Sequence, residues 1–174
     1  MSDWRSIIVD VPDFPKPGIV FKDITPALAD AGAFKAIIAE FCERLSADGR
    51  RVDAIVGVES RGFIFGAAIA HALGVGLVLV RKPGKLPRAT YEASYSLEYG
   101  EDTLHIHQDA LATGAHAWII DDVLATGGTA AAVCELVAKT GAKVAGLGLL
   151  MELSALDGRK RLPAGVDIVV LQAV

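Results

Sequence analysis

Cysteine is scarce in this chain. Only Cys42 and Cys134 occur in 174 residues. They form no Cys-x-x-Cys pair and no Cys/His zinc spacing, so the sequence carries no metal-site signature of that kind. Two buried thiols in a reducing compartment are the expectation. Long apolar runs are missing too, although mean hydropathy is +0.43. A stretch such as Ile64-Phe65-Gly66-Ala67-Ala68-Ile69-Ala70 is far shorter than the roughly 20 residues a spanning helix needs. The start, Met1-Ser2-Asp3-Trp4-Arg5, has neither a basic segment nor an apolar core, so no signal peptide is expected. No membrane partner and a cytoplasmic location are expected. Basic residues are in deficit, with 17 Lys and Arg against 21 Asp and Glu and a net charge of −4. That balance argues against general nucleic-acid binding, so any affinity for polyanions must come from a local basic patch. Two common phosphate-binding signatures are also absent. There is no Gly-x-x-x-x-Gly-Lys-Ser/Thr, and the Gly146-x-Gly148 pair has Met151 where a dinucleotide fingerprint needs its third glycine.

What is present is an alternation of apolar strands and helices. Hydrophobic residues make up 52% and charged residues 22%, a composition that folds. Ala54–Val58, Leu77–Val80, Ala117–Ile120, Val144–Leu150 and Ile168–Leu171 read as buried strands. Phe34, Ile37, Ile38, Phe41 and Leu45 form an amphipathic helical stripe that ends at Asp48-Gly49. Helices are also expected over Phe63–Leu73, stopped by Gly74, and Ala130–Lys139, closed by Gly141. Uninterrupted apolar strands separated by helices imply an α/β fold with a central, mostly parallel sheet covered on both faces. Residues 10–26 are Pro-rich, and three prolines between positions 12 and 17 exclude a regular helix there. That segment reads as an ordered arm. Between Val80 and Ala117 comes a basic Gly/Pro loop, Arg81–Arg88, then short alternating segments near Ser94–Tyr99 and Thr103–His107, which suggest a β-ribbon excursion. The whole length fits one domain.

The sharpest signal follows the strand at Trp118-Ile119-Ile120. Asp121 and Asp122 come next, then Val123-Leu124-Ala125-Thr126-Gly127-Gly128-Thr129 leads into a helix. Ligands of open α/β sheets bind beyond the carboxyl ends of the strands. Here Ala125, Thr126, Gly127, Gly128 and Thr129 can close backbone N–H groups and hydroxyls around a terminal phosphate at a helix N-terminus. Carboxylates bind phosphate poorly but accept from vicinal sugar hydroxyls, so Asp121 and Asp122 read as ribose ligands. Ser60 and Arg61, in the turn Glu59-Ser60-Arg61-Gly62, offer a second anion site. The alternative is an Arg–Glu ion pair capping the helix. Arg81, Lys82 and Lys85 form a cationic loop that either meets an anion or is simply solvated. His105 and His107 share a strand face, but two histidines without a third ligand do not make a metal site, and no protein metal site is expected.

The segment Asp121–Thr129 resembles the phosphoribosyl-pyrophosphate motif of type I phosphoribosyltransferases. Pro12-Asp13-Phe14-Pro15, Phe21-Lys22-Asp23-Ile24, Glu59-Ser60-Arg61-Gly62-Phe63, Arg81–Pro87 and Ala93–Gly100 are similar to the adenine-using members of that family. The resemblance implies the type I phosphoribosyltransferase fold, with an N-terminal hood at about 10–26 and a flexible β-ribbon lid at about 83–100. It implies transfer of the phosphoribosyl group to adenine, giving AMP and pyrophosphate, with Mg²⁺ arriving on the substrate's pyrophosphate. It assigns Ser60, Arg61, Arg81, Lys82 and Lys85 to pyrophosphate and makes Glu98 the acid–base candidate near the adenine imidazole. It also places Val20, Phe21 and Lys22 around the base. Phe21 then stacks on the purine or else is an ordinary core aromatic. Many relatives carry Arg at the position of Lys22, which matters only if the side chain is used. A homodimer is implied as well. An oxopurine (xanthine or guanine) transferase and a phosphoribosyl-pyrophosphate-sensing regulator are the alternatives. The second needs a DNA-binding extension, for which no room is expected before Pro12.

Overall fold

In a computed structural model, which describes residues 3–96 and 101–174, the chain forms two compact units, Met1–Glu40 and Phe41–Val174. The first unit opens with a 3-10 turn, Trp4–Ile7, capped by the Asp3 side chain, which accepts from the Arg5 N–H. Glu40 accepts from the Trp4 indole at 3.1 Å and from the Arg5 guanidinium at 2.7 Å. The Pro-rich segment is a hairpin. β1 (Val9–Pro12) and β2 (Val20–Asp23) pair antiparallel, with Pro15 and Pro17 in the connecting turn, where no ladder N–H is required. The Asp13 carboxylate accepts from the Gly18 N–H at 2.7 Å and closes that turn. Pro26, at the end of the stretch read as helix-free, starts α1 (Thr25–Ala29). A proline in the first helical turn sacrifices no intrahelical bond. α2 (Ala31–Leu45) begins three residues ahead of its apolar stripe.

In the second unit the apolar runs become strands as expected. β3 (Ala54–Val58) is buried throughout. α3 (Arg61–Leu73) follows and ends at Gly74 in the left-handed region, φ 68°. β4 (Gly76–Val80) comes next; its apolar run is expected to be buried, but it is the edge strand of the sheet and Leu77 and Leu79 are exposed. The chain then leaves the sheet as an antiparallel ribbon, β5 (Thr90–Ser96) with β6 (Glu101–His107). It returns in β7 (His116–Leu124), α4 (Gly128–Lys139), β8 (Lys143–Glu152) and β9 (Asp167–Ala173). The sheet is parallel, in the order β4-β3-β7-β8-β9. This is the expected α/β architecture.

Two glycines read as half of a failed nucleotide motif serve packing instead. Gly146 and Gly148 lie in β8 beside β7. A Cβ on Gly146 would overlap the buried Trp118 ring, and one on Gly148 would stand 2.7 Å from Ile120 Cδ1. The large β7 side chains fill the space those glycines leave. Cys134 is buried, and burial pushes its thiol up to about 11, while Cys42 is half-buried. Among the described residues no helix is long and apolar enough to cross a membrane.

Candidate functional site

Turns at the carboxyl ends of three neighbouring strands, β4, β3 and β7, meet at one cleft of about 300 Å³. The β3–α3 turn contributes Glu59, Ser60 and Arg61, the segment after β4 contributes Lys82, and β7 with its following loop contributes Asp121 through Thr129. Tyr95 and Leu104 of the ribbon line it as well. Distant segments converge here because parallel strands all end on the same side of the sheet.

Asp121 and Asp122 do not stand beyond the strand, as their position after the apolar run suggested. β7 continues to Leu124, so the two carboxylates stand on the strand itself, side by side at the cleft. Asp122 is buried and pairs with the Arg61 guanidinium through Nε. Arg61 therefore does not cap its helix by pairing with Glu59. Asp121 is half-buried in the wall of the cleft. Burial, reinforced by the neighbouring Asp122 charge, holds it well above the usual carboxylate range. Gly62 permits this arrangement. A Cβ there would lie 2.5 Å from the Ile120 carbonyl oxygen and 3.1 Å from Asp121 Oδ1.

The loop after β7 has the form of an anion cradle. Gly127 occupies the left-handed region at φ 81° and is the N-cap of α4. Because a glycine cap has no side chain, the first-turn N–H groups of α4 are not consumed by it. Those N–H groups open at a helix N-terminus that carries partial positive charge, and Thr126 and Thr129 line the same cleft, with the Thr129 side chain hydrogen-bonded to Tyr95.

Glu59 and Asp102, to which the sequence reading gave no binding role, organise the cations. Glu59 accepts from the Lys82 backbone N–H at 3.0 Å and from Arg81 Nε at 3.2 Å, and it lies 3.5 Å from Lys85 Nζ. The Lys82 N–H bond, with Arg81 adding to it, holds the Glu59 carboxyl below its usual range. Asp102 takes the Lys82 ammonium and accepts from the Tyr95 hydroxyl at 3.2 Å. The Lys82 bond likewise lowers Asp102, and Asp102 raises Lys82. Ser60, Arg61, Lys82, Asp121, Asp122 and Ala125–Thr129 thus share the cleft, whereas Arg81 and Lys85 turn to Glu59 at its edge. The signal for Glu59 was its place in the Glu-Ser-Arg-Gly turn. Asp102 had none, because its partner lies across a fold contact.

Val20, Phe21 and Lys22 belong to the first unit, on β2. Phe21 meets Phe14 edge-on with centroids 5.3 Å apart, and Lys22 Nζ pairs with Asp10 at 2.7 Å. Glu98 lies outside the described residues.

Comparison with known proteins gives the family and the fold. Residues 25–169 match the model of the phosphoribosyl transferase domain. An adenine phosphoribosyltransferase of a Nocardioides species is 56% identical over 168 residues, covering 93% of this chain and 89% of that protein. The crystal structure of adenine phosphoribosyltransferase from Thermoanaerobacter pseudethanolicus superposes with a TM-score of 0.93 at 50% identity, covering 98% of this chain and 97% of that one. The Saccharomyces cerevisiae adenine phosphoribosyltransferase, solved with an imino-altritol bisphosphate and adenine, gives a TM-score of 0.93 at 40% identity, covering 97% and 96%. Together with the parallel sheet and the Asp-Asp loop at its carboxyl end, these likenesses establish that the chain belongs to the adenine phosphoribosyltransferase family.

Proposed function

We propose that this chain transfers the 5-phosphoribosyl group of phosphoribosyl pyrophosphate to adenine. Adenine N9 attacks the anomeric carbon, the bond from that carbon to the pyrophosphate oxygen breaks, and the N9 proton leaves to a base. The products are AMP and pyrophosphate. The observation that carries this reading is the single cleft in which the Asp121–Asp122 pair, the Ala125–Thr129 cradle and the Ser60-Arg61 turn lie together.

Each part matches one part of the substrate. The uncapped start of α4 with Thr126 and Thr129 suits the 5-phosphate, and the carboxylates suit the ribose hydroxyls. Ser60, Arg61 and Lys82, with Arg81 and Lys85 behind Glu59, supply positive charge where pyrophosphate gains it on leaving. Val20, Phe21 and Lys22 form the adenine site of a hood at about 10–26. Glu98, in a lid at about 83–100, exchanges a proton with the adenine imidazole. A lid excludes water from an oxocarbenium-like state that water would otherwise intercept. The whole chain acts as one phosphoribosyltransferase domain in a cytoplasmic homodimer.

Mg²⁺ enters with the pyrophosphate. Among the described residues no cluster of three or more His, Cys, Asp or Glu side chains could cage a metal. Two carboxylates at a cleft suit a hard cation that keeps waters and substrate oxygens as its remaining ligands. Bound there, it would neutralise the leaving group's charge. The three relatives above are named for adenine, which favours this reading over the oxopurine and regulatory alternatives. The deciding experiment is a steady-state assay of base-dependent pyrophosphate release with adenine, hypoxanthine, guanine and xanthine. Turnover with adenine at a kcat/KM at least a hundredfold above the others is expected. No turnover with adenine would refute the assignment.

A further inference from the structure

Asp122 and Glu152 are the buried charged residues among those described, and they flank the same loop. Asp122 precedes it on β7. Glu152 ends β8, where the register sets it directly beside Leu124, the residue before the loop. The Arg159 guanidinium grips Glu152 through two bonds, Nε to Oε1 at 2.7 Å and Nη2 to Oε2 at 2.6 Å. The residue before Arg159 is Gly158, itself buried against the rear of the loop. A Cβ on Gly158 would overlap the Ala125 carbonyl oxygen and stand 3.1 Å from the Gly127 nitrogen. A Cβ on Gly127 would in turn overlap the Gly158 carbonyl. Two glycine backbones therefore touch with no side chain between them. The Leu153 N–H donates to the Leu124 carbonyl at 2.9 Å and ties the same corner.

Glu152 is buried but the Arg159 side chain is half-exposed, and an ion pair open to solvent on one side is weak support for stability. Its better use is to fix one arrangement, and a bidentate Arg–carboxylate fork fixes direction as well as distance. The arrangement fixed here is the seat of Gly158 behind Ala125 and Gly127. Small displacements of a cradle cost binding steeply, because backbone N–H groups cannot follow the anion individually.

We propose that Gly158 and the Arg159–Glu152 pair are positioning residues that hold the Ala125–Thr129 cradle in its anion-binding conformation and so set its affinity for phosphorylated ribose. This rests on the reading of that loop as the 5-phosphate site. The pair touches no reacting atom and acts only through the loop.

The test compares wild type with Arg159→Met, Arg159→Lys, Glu152→Gln, the Glu152→Gln/Arg159→Met double variant and Gly158→Ala. Calorimetry with ribose 5-phosphate gives Kd, steady-state kinetics give KM for phosphoribosyl pyrophosphate and adenine separately, and circular dichroism reports folding. Arg159→Met should weaken ribose 5-phosphate binding and raise the phosphoribosyl pyrophosphate KM tenfold or more, with the adenine KM within twofold. Arg159→Lys should recover part of the loss, and the double variant should be no worse than the poorer single. Folded variants with wild-type Kd, or an equal rise in both KM values, overturn the proposal. If Arg159→Met does not fold, Glu152→Gln, which keeps the volume, and Gly158→Ala give the same readout. A wild-type chain that binds neither ribose 5-phosphate nor phosphoribosyl pyrophosphate overturns the loop assignment and the clamp with it. Binding by wild type with unaffected variants overturns the clamp alone.

Discussion

Asp121 shows how one side chain serves the site at a cost to the fold. Its carboxyl is held well above the usual range because burial and the Asp122 charge both disfavour ionisation. A raised carboxyl pKa means the folded protein holds that proton more tightly than the unfolded chain. Its contribution therefore favours folding at low pH, declines as pH rises from about 3.9, the ordinary Asp value, through the raised value, and is then a constant penalty. Asp121→Asn removes the charge and keeps the shape. It should raise Tm at pH 7 above wild type, with no gain near pH 4. The same variant should bind phosphoribosyl pyrophosphate less tightly. Thermal melts across that pH range check the first part, and a Tm at pH 7 below wild type would contradict it. Glu152 has the opposite sign. The Arg159 bonds lower its pKa, so its contribution is present above the ordinary Glu range and disappears as pH falls through the lowered value.

At the scale of elements, the strand-to-helix turns place the chemistry. The β3–α3 turn lies so close to β7 that only a glycine fits at position 62. Gly62→Ala pushes the start of α3 away from Ile120 and Asp121. Overpacking of this kind should cost about 1–3 kcal/mol of stability. It should also raise the phosphoribosyl pyrophosphate KM, because Arg61 and Asp121 move apart. Urea unfolding with parallel kinetics tests this; a loss of stability with unchanged KM would separate the packing from the site. The repeating elements were legible because their signals are local. Ala54–Val58 is an unbroken apolar run, and Gly74 stops α3 at a positive φ. The β1–β2 hairpin was not legible, because its pairing joins residues about ten apart across a turn of prolines. The reach of β7 past its acids was hidden for another reason. Charged residues end an apolar run in sequence, yet backbone pairing with β8 continues to Leu124.

For the whole molecule, the prediction concerns linkage between substrate and stability. A ligand that binds only the folded state stabilises it by RT ln(1 + [L]/Kd), about 2.7 kcal/mol at a hundredfold excess over Kd. Phosphoribosyl pyrophosphate with Mg²⁺ at that level should raise Tm by roughly 5–10 °C. Scanning fluorimetry measures it, and an unchanged Tm at saturating substrate would argue against a preformed site. The sequence by itself determined the α/β class, the strands of the parallel sheet, the Asp121–Thr129 loop and the family it resembles. Those follow from composition, periodicity and contiguous motifs, which are properties of neighbouring residues. Only the tertiary structure decided which charges meet. Arg61 went to Asp122, Lys82 to Asp102, Arg81 and Lys85 to Glu59, and Arg159 to Glu152 at the back of the phosphate loop. A chain of mixed charge offers many such pairings. The sheet order and the close glycine contacts select among them, because burial penalises every charge that the fold leaves without a partner.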